Sequence, residues 1–413
     1  MESLVTEVSC QFSFMFVFSS KKNRNSVVQT KGCQALAVLA MDNKENQIVI
    51  TGAGGIRVFM EAMAAHVGDA GVQETALIFL ATVLDNLDAD AEDTYSCDGC
   101  AIDIYGARWN CQDCENYDLC QECHLQFLVS GEHHFEGHTF VNVAEEEEKD
   151  QEIAMAGMGG IRVVTEAMTA HAGHVGVQGQ GCNMLRILAA NPHNKRVMAG
   201  AACIRVVMVA MTAHAGDVGV QMMGCDALGA LAEIADNKRS IVIAGGIGLV
   251  LTAMRAHVGH VMMQESGCSL LADFAHADEA YADNQMTIVA IARAGGIPVV
   301  LAAMIAHVGC AGLQEEGCYA LGNLAFDADN TTIIVDAGGI CVVLAAMTAH
   351  AGHADLQAYG CYALRTLAGR WGISKSIKDE GGLAVVAAAM TDMDATVECK
   401  EHGQWLVGQL AWV

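Results

Sequence analysis

The stretch Ala294-Gly295-Gly296-Ile297-Pro298-Val299-Val300-Leu301-Ala302-Ala303-Met304 opens a pattern that the chain repeats. Glycine just past a helix end permits the left-handed backbone that closes the helix. The spacing therefore predicts a first helix over residues 284–294, stopped at Gly295-Gly296. Ile297, Val300, Leu301 and Met304 then fall at i, i+3, i+4 and i+7, the apolar face of a second helix. Pro298 sits in its first turn, where a missing N–H costs nothing. Leu313, Gly317, Leu321 and Leu324 mark a third helix.

Working outward, the residue that closes the Gly-Gly signature recurs at Ile56, Ile161, Ile204, Ile247, Ile297, Ile340 and Leu383. The spacings are 105, 43, 43, 50, 43 and 43 residues, so the unit is 43 residues long. The two longer gaps hold insertions. One is large, between the first and second signatures; the other is short, around His276 to Asp283. Both fall after a Leu-rich third helix and before the next Gly-Gly, and insertion at one junction is what stacked repeats tolerate. Seven full units follow an opening third helix over Val28 to Ala40.

Three helices in about 43 residues, with an Asn-Leu-Ala-type end and a Gly-Gly before the second helix, resemble armadillo repeats. The resemblance covers nearly everything outside the large insertion. The predicted fold class is all-α, an armadillo-like α-solenoid. Its repeats occupy residues 28–90 and 151–413. Residues 1–27, with Phe12, Phe14, Phe16 and Phe18 in alternation, are expected to form a degenerate cap. The chain stops at Val413, at the end of a third helix. An uncapped solenoid exposes its apolar stacking face, so this end is expected either to pair with another chain or to continue.

The large insertion, residues 91–150, carries the densest chemistry. Cys97-Asp98-Gly99-Cys100 is followed after ten residues by Cys111-Gln112-Asp113-Cys114. Five residues on comes Cys120-Gln121-Glu122-Cys123, and then His133-His134-Phe135-Glu136-Gly137-His138. Three Cys-x-x-Cys knuckles and a histidine pair supply eight zinc ligands, enough for two tetrahedral sites. Six cysteines could instead pair as disulfides, but the histidines would then have no role. Cys97-Asp98-Gly99-Cys100, Gly106-Ala107-Arg108-Trp109-Asn110-Cys111 and Asn116-Tyr117-Asp118-Leu119-Cys120 resemble a ZZ-type zinc finger over about residues 95–143.

That resemblance implies a cross-brace with two Zn²⁺ per chain. Cys97, Cys100, Cys120 and Cys123 would hold one ion; Cys111, Cys114, His134 and His138 would hold the other. His133 competes with His134 for its place. Both shells are closed, so neither metal has a catalytic position. ZZ fingers of autophagy receptors and chromatin proteins recognise a free protein N-terminus through acidic residues beside the knuckles. The matching positions are Asp98, Asn116 and Asp118. Asn116 departs from members that bind N-terminal arginine, which carry a third acid there. Aspartates in such turns also bond the N–H groups of their own knuckle, and that second role stays open.

Composition limits the function classes. The chain has 413 residues, formal net charge −26, 53 % hydrophobic residues, 5 % aromatics and 2 prolines. Nucleic-acid binding needs a basic surface, which is absent. Acidic charge favours basic peptides or free amino termini as partners, and it also keeps an Ala-rich chain soluble. No apolar run reaches the ~18 residues of a membrane span. Six of the 17 cysteines lie in the finger and six recur at one helix position. A reducing intracellular compartment, cytoplasmic or nuclear, is the expectation.

Recurrent residues outside the finger have structural readings. His66, His171, His214, His257, His307 and His350 end the second helix. One histidine per repeat, on helices about 8–10 Å apart, cannot share a metal, so these imidazoles are read as helix C-terminal caps. The i, i+3 pairs His171/His174, His257/His260 and His350/His353 could chelate weakly or serve as caps. The Gly-Cys pairs ending at Cys33, Cys182, Cys225, Cys268, Cys318 and Cys361 are read as small residues that permit close helix contact. Armadillo proteins that bind extended peptides present a Trp and, four residues on, an Asn along the third helices. Most units lack that pair, but the last three carry Tyr319/Asn323, Tyr362/Thr366 and Trp405/Gln409, a candidate peptide-binding strip. No phosphate loop, hydrolase or kinase motif is present, so no enzyme is expected. The sequence reads as a zinc-binding protein-interaction scaffold. The alternatives are a ubiquitin-pathway component or ligase adaptor, and a purely structural solenoid.

Overall fold

Among the described residues five 43-residue units show three helices each, and residues 281–324 display the design. The first helix runs Tyr281–Arg293, the second Gly296–Ala306 and the third Ala311–Leu324. The first helix begins three residues earlier than residue 284, because the short insertion after His276 partly lengthens it. Its counterparts Ala235–Ile243 and Ala328–Asp336 have 9 residues against its 13. Gly295 takes the left-handed conformation, φ 81, that ends the first helix. Gly296 does something different. A Cβ there would lie 2.5 Å from Ile291 Cγ2 and 2.9 Å from the Ile291 carbonyl oxygen, so only glycine lets the second helix start against the first. Ile297, Val300, Leu301 and Met304 are all buried, as their spacing predicts.

The computed structural model describes residues 26–40, 43, 44, 46, 47, 50, 55–88, 108–111, 118–120, 140–142, 159–198, 201–276, 281–370, 372–391 and 395–412. These fall in two compact units, Met1–Val206 and Val207–Val413. The first contains α1 (Ser26–Ala40), α2 (Gly55–Ala65) and α3 (Ala70–Asp88), then β1 (Arg108–Cys111), β2 (Asp118–Cys120) and β3 (Phe140–Asn142). It continues with α4 (Gly160–Ala170), α5 (Val175–Ala190), α6 (Pro192–Val197) and the start of α7 (Ala201–Ala213). Residues 26 and 27 belong to α1, so the opening helix is two residues longer than its sequence limit; the cap expected for the residues before it lies outside the described residues. Third helix α3 packs directly on third helix α5, and second helix α2 on α4. The 43-residue stacking therefore continues across the large insertion.

The second unit contains the rest of α7, α8 (Val218–Ala232), α9 (Ala235–Ile243), α10 (Gly246–Ala256) and α11 (Val261–Ala275). Next come α12, α13 and α14, the three helices described above, followed by α15 (Ala328–Asp336), α16 (Gly339–Ala349) and α17 (Ala354–Ala368). The unit closes with α18 (Ile373–Asp379), α19 (Gly382–Thr391) and α20 (Val397–Ala411). Its third helices α8, α11, α14, α17 and α20 pack in succession, and this line forms the core. Among the described residues no single helix is long and apolar enough to cross a membrane.

Two recurring hydrogen bonds hold the units. Buried Gln264 of α11 donates from Nε2 to the Met254 and His257 carbonyls, 2.9 Å each, at the open end of α10. Gln73, Gln178, Gln221, Gln314 and Gln357 repeat the pair of bonds. Helix ends leave carbonyls without partners, and one amide per unit satisfies two of them. Within the second unit, Nε2 of His257, His307 and His350 meets the Ala215, Val258 and Val308 carbonyls of the preceding repeat, at 2.8–2.9 Å. In the first, His171 reaches the Val67 carbonyl at 2.6 Å. These four imidazoles do sit at helix C-termini, but their rings join one repeat to the previous one instead of capping their own helix.

Candidate finger and aromatic strip

Backbone register defines what is described of the finger. The sheet order is β2-β1-β3, with both pairs antiparallel. Trp109 of β1 is central, opposite Leu119 on one side and Asn142 on the other. Cys120 lies opposite Arg108, and Asp118 opposite Asn110. Cys111 ends β1 opposite Phe140. Ligands Cys97, Cys100, Cys114, Cys123, His134 and His138, with the competing His133, lie outside the described residues, as do Asp98 and Asn116.

In each i, i+3 histidine pair the second residue is a helix N-cap. His260 is the N-cap of α11, and its Nδ1 accepts from the Met263 N–H at 3.3 Å. His174 and His353 do the same for α5 and α17. Asp217 and Thr396 take the role in other units. A ring nitrogen that accepts from the backbone while its partner histidine bonds the previous repeat is fully used. His260→Ala is expected to cost about 1 kcal/mol in urea unfolding, and His260→Asp to keep most of the stability.

The recurrent Gly-Cys pairs serve packing. A Cβ at Gly267 would lie 2.5 Å from Met254 Cγ, so the glycine admits the methionine of the second helix. The cysteines beside these glycines are buried. Burial pushes the Cys182 and Cys318 thiols up to about 12, with Glu315 adding to the second, so they stay protonated and unreactive.

The C-terminal strip is larger than the sequence indicated. Tyr319 on α14 meets Tyr359 on α17 in a tilted pair, ring centroids 4.6 Å apart at 35°. Tyr362 lies 6.2 Å from Tyr319, 6.4 Å from Phe326 and 5.5 Å from His402 on α20. The Tyr319 hydroxyl is 2.7 Å from His276 Nδ1. Trp405, 37 % exposed, has the Arg365 guanidinium 5.6 Å over its ring. Gln409 is exposed on the same helix. Asn323 does not belong on the exposed strip. It is 1 % exposed; its Nδ2 donates to the Ala272 carbonyl at 3.2 Å and its Oδ1 accepts from the Tyr362 hydroxyl at 2.7 Å. Close stacking of α11, α14 and α17 turns this amide into an internal fastener. Tyr359, Phe326, Arg365, His276 and His402 were missed because they meet only through stacking of separate units; the Tyr359/Tyr362 i, i+3 pair was the one signal available.

Two cavities open along the strip. One, of about 470 Å³, is lined by Tyr319, Tyr359, Tyr362, Asp355, Glu398, Thr396, Ala358 and the two histidines. The other, of about 380 Å³, is lined by Phe326, Tyr362, Arg365, Arg370, Thr366, Trp405, Ala325 and Gly369. Farther along the third helices Asp273 is pushed up to about 6, mainly by burial, against the pull of Lys238. Glu316 rises to about 7, by burial first and Asp273 next. Burial also raises Glu315, helped by Asp355.

The chain is thus a helical repeat protein with a small β finger set between two stacked repeats. Residues 91–135 match the family "Zinc finger, ZZ type", which makes the insertion a ZZ-type zinc finger. The matched span includes all six knuckle cysteines and His134 and ends before His138. No curated protein matches the chain. Two engineered proteins of known structure share the repeat fold, at 22 % and 17 % identity and TM-scores of 0.52 and 0.53. Each aligns with 61 % of this chain and with 96 % and 99 % of its own length. A designed armadillo repeat protein is 10 % identical with a TM-score of 0.48, over 56 % of this chain and 93 % of that one.

Proposed function

We propose that this protein is an intracellular, non-enzymatic scaffold whose ZZ-type finger binds two structural Zn²⁺ ions and captures a free protein N-terminus. The match of residues 91–135 to ZZ-type fingers carries the reading. Thiolate and imidazole donors suit zinc. Strand register supports two separate sites. Cys111 and Cys120 stand at opposite ends of the β1–β2 pair, three residue steps apart, so about 10 Å along the strands. A single zinc, with thiolates about 2.3 Å from the metal, does not span that gap. That register favours a division of Cys111 and Cys120 between different ions, as the ZZ ligand order implies. The metals would fix the knuckles and supply no chemical step.

Recognition follows from charge. An α-ammonium offers three donors and one positive charge. Asp98 and Asp118, held beside metal knuckles, would accept charge-assisted hydrogen bonds from it. Asn116 removes one charge from the set, which weakens selection for N-terminal arginine and admits small residues such as alanine. Calorimetry with the full-length protein tests this. A short peptide beginning with a free Ala should bind; acetylating its terminus, or changing Asp98→Asn, should abolish binding. Equal affinity for the free and acetylated peptides would remove the proposal.

A further inference from the structure

The unit made of α18, α19 and α20 departs from the others at both recurring fasteners. By the 43-residue spacing, Lys400 stands at the position of Gln357 and Met393 at that of His350. Lys400 is exposed, whereas Gln357 is buried. A pair of thiols is found here instead. Cys399 occupies the position at which six other third helices bury a larger apolar residue: Val72, Val177, Val220, Met263, Leu313 and Leu356. The small side chain lets the Cys361 sulfur of α17 approach. The two Sγ atoms are 4.0 Å apart, and both cysteines are 0 % exposed. The Cys399 thiol also donates to the Ala389 carbonyl of α19, at 3.8 Å. Cys399 is the third residue of α20. Thr396 caps that first turn by accepting from the Cys399 N–H at 3.1 Å.

We propose that Cys361 and Cys399 are an oxidation site, at which a low-molecular-weight disulfide such as glutathione disulfide converts the two thiols to a disulfide that ties α20 to α17. Helix ends open at low free energy, and Cys399 lies in the first turn of α20. When that turn opens, the helix N-terminus still beside it favours the thiolate. Cys399 attacks one sulfur of the reagent. A mixed disulfide forms, the reagent's own S–S bond breaks, and one small thiol leaves with the Cys399 proton. Cys361 then attacks the Cys399 sulfur; the internal S–S bond forms and the second small thiol leaves with the Cys361 proton. Two electrons pass from the cysteines to the reagent. The sulfurs close from 4.0 Å by about 2 Å to reach bonding distance. While the turn is closed, the hydrogen bond with Cys399, and burial after it, hold the Cys361 thiol well above the usual range, so reaction waits for opening. In a reducing compartment the pair stays as thiols, and the bond forms only when conditions turn oxidising. It then gives this unit the tie to its neighbour that His350 gives the preceding one.

The test uses the full-length protein in excess oxidised glutathione, with peptide mapping by mass spectrometry. A Cys361–Cys399 linkage should form, dithiothreitol should reverse it, and Cys318, buried on α14, should stay a thiol. Joining residues 38 apart in the chain should slow hydrogen exchange across α20 by about tenfold or more. In Cys361→Ala, Cys399 should stop at the mixed disulfide with glutathione. In Cys399→Val, which restores the kind of residue the other units bury here, Cys361 should stay unmodified. Thr396→Ala, which removes the cap of the first turn, should speed linkage about fivefold. Four results would overturn the proposal: both thiols unchanged after prolonged exposure to the reagent, Cys361 modified as fast in Cys399→Val as in the unaltered protein, an unchanged linkage rate in Thr396→Ala, or a linkage that leaves exchange in α20 as it was.

Discussion

Cys111→Ser is expected to unfold the finger and to leave the helices folded. Residues 91–150 have few aliphatic side chains and build little core, so metal binding supplies most of the finger's stability, on the order of 10 kcal/mol per site. Cys111 also ends β1 opposite Phe140 of β3, so losing its metal bond loosens that end of the sheet. The repeats do not share the loss, because α3 packs directly on α5 and His171 bonds the Val67 carbonyl across the same junction. Limited proteolysis should cut within residues 91–150 of the variant and spare the helical segments. The helical circular-dichroism melt should stay within a few degrees of the unaltered protein. A collapse of the helical melt would mean that the finger holds the repeats together.

Gln264→Leu is expected to cost about 2 kcal/mol. The side chain is buried and fills a polar role at a helix end. Its amide serves two carbonyls, and the two differ in what remains after the change. The His257 carbonyl keeps the His260 N–H at 3.0 Å. The Met254 carbonyl loses its amide donor, and a buried unpaired carbonyl costs about 1–3 kcal/mol. Urea denaturation should show the loss, and hydrogen exchange should place it in α10, α11 and the repeats touching them, since repeat stability depends on nearest neighbours. A change below about 0.5 kcal/mol, within the range of ordinary surface substitutions, would show that water replaces the amide.

The helices were legible in the sequence because their apolar periods are strong and the unit recurs. Ile297, Val300, Leu301 and Met304 share one helix face at any register, so their burial follows from spacing alone. The Gly-Gly stop was legible for Gly295, where the backbone demands a left-handed residue. Gly296 was not, since its constraint is a collision with Ile291 that exists only once two helices are packed. The same limit hid the glutamines and histidines. Gln264 faces carbonyls ten and seven positions earlier, and His257 a carbonyl 42 positions away; such partners are set by how helices stack. It also misplaced Asn323: its position in the repeat marks a peptide contact, while close stacking puts its amide inside. In the finger, Cys spacing is a local property, which is why a ZZ-type finger could be read from the chain, while Asp98 and Asp118 retain two possible roles.

Zinc content measured on purified protein, with and without residues 91–150, tests the account most directly. The deletion returns the Ile56-to-Ile161 spacing close to the 43-residue unit, so the remaining helices can stack as the other repeats do. Elemental analysis should find two zinc ions per intact chain and none after the deletion, with the shortened protein still folded and helical. Zinc retained by the deleted protein, or an intact chain holding no zinc, would contradict it.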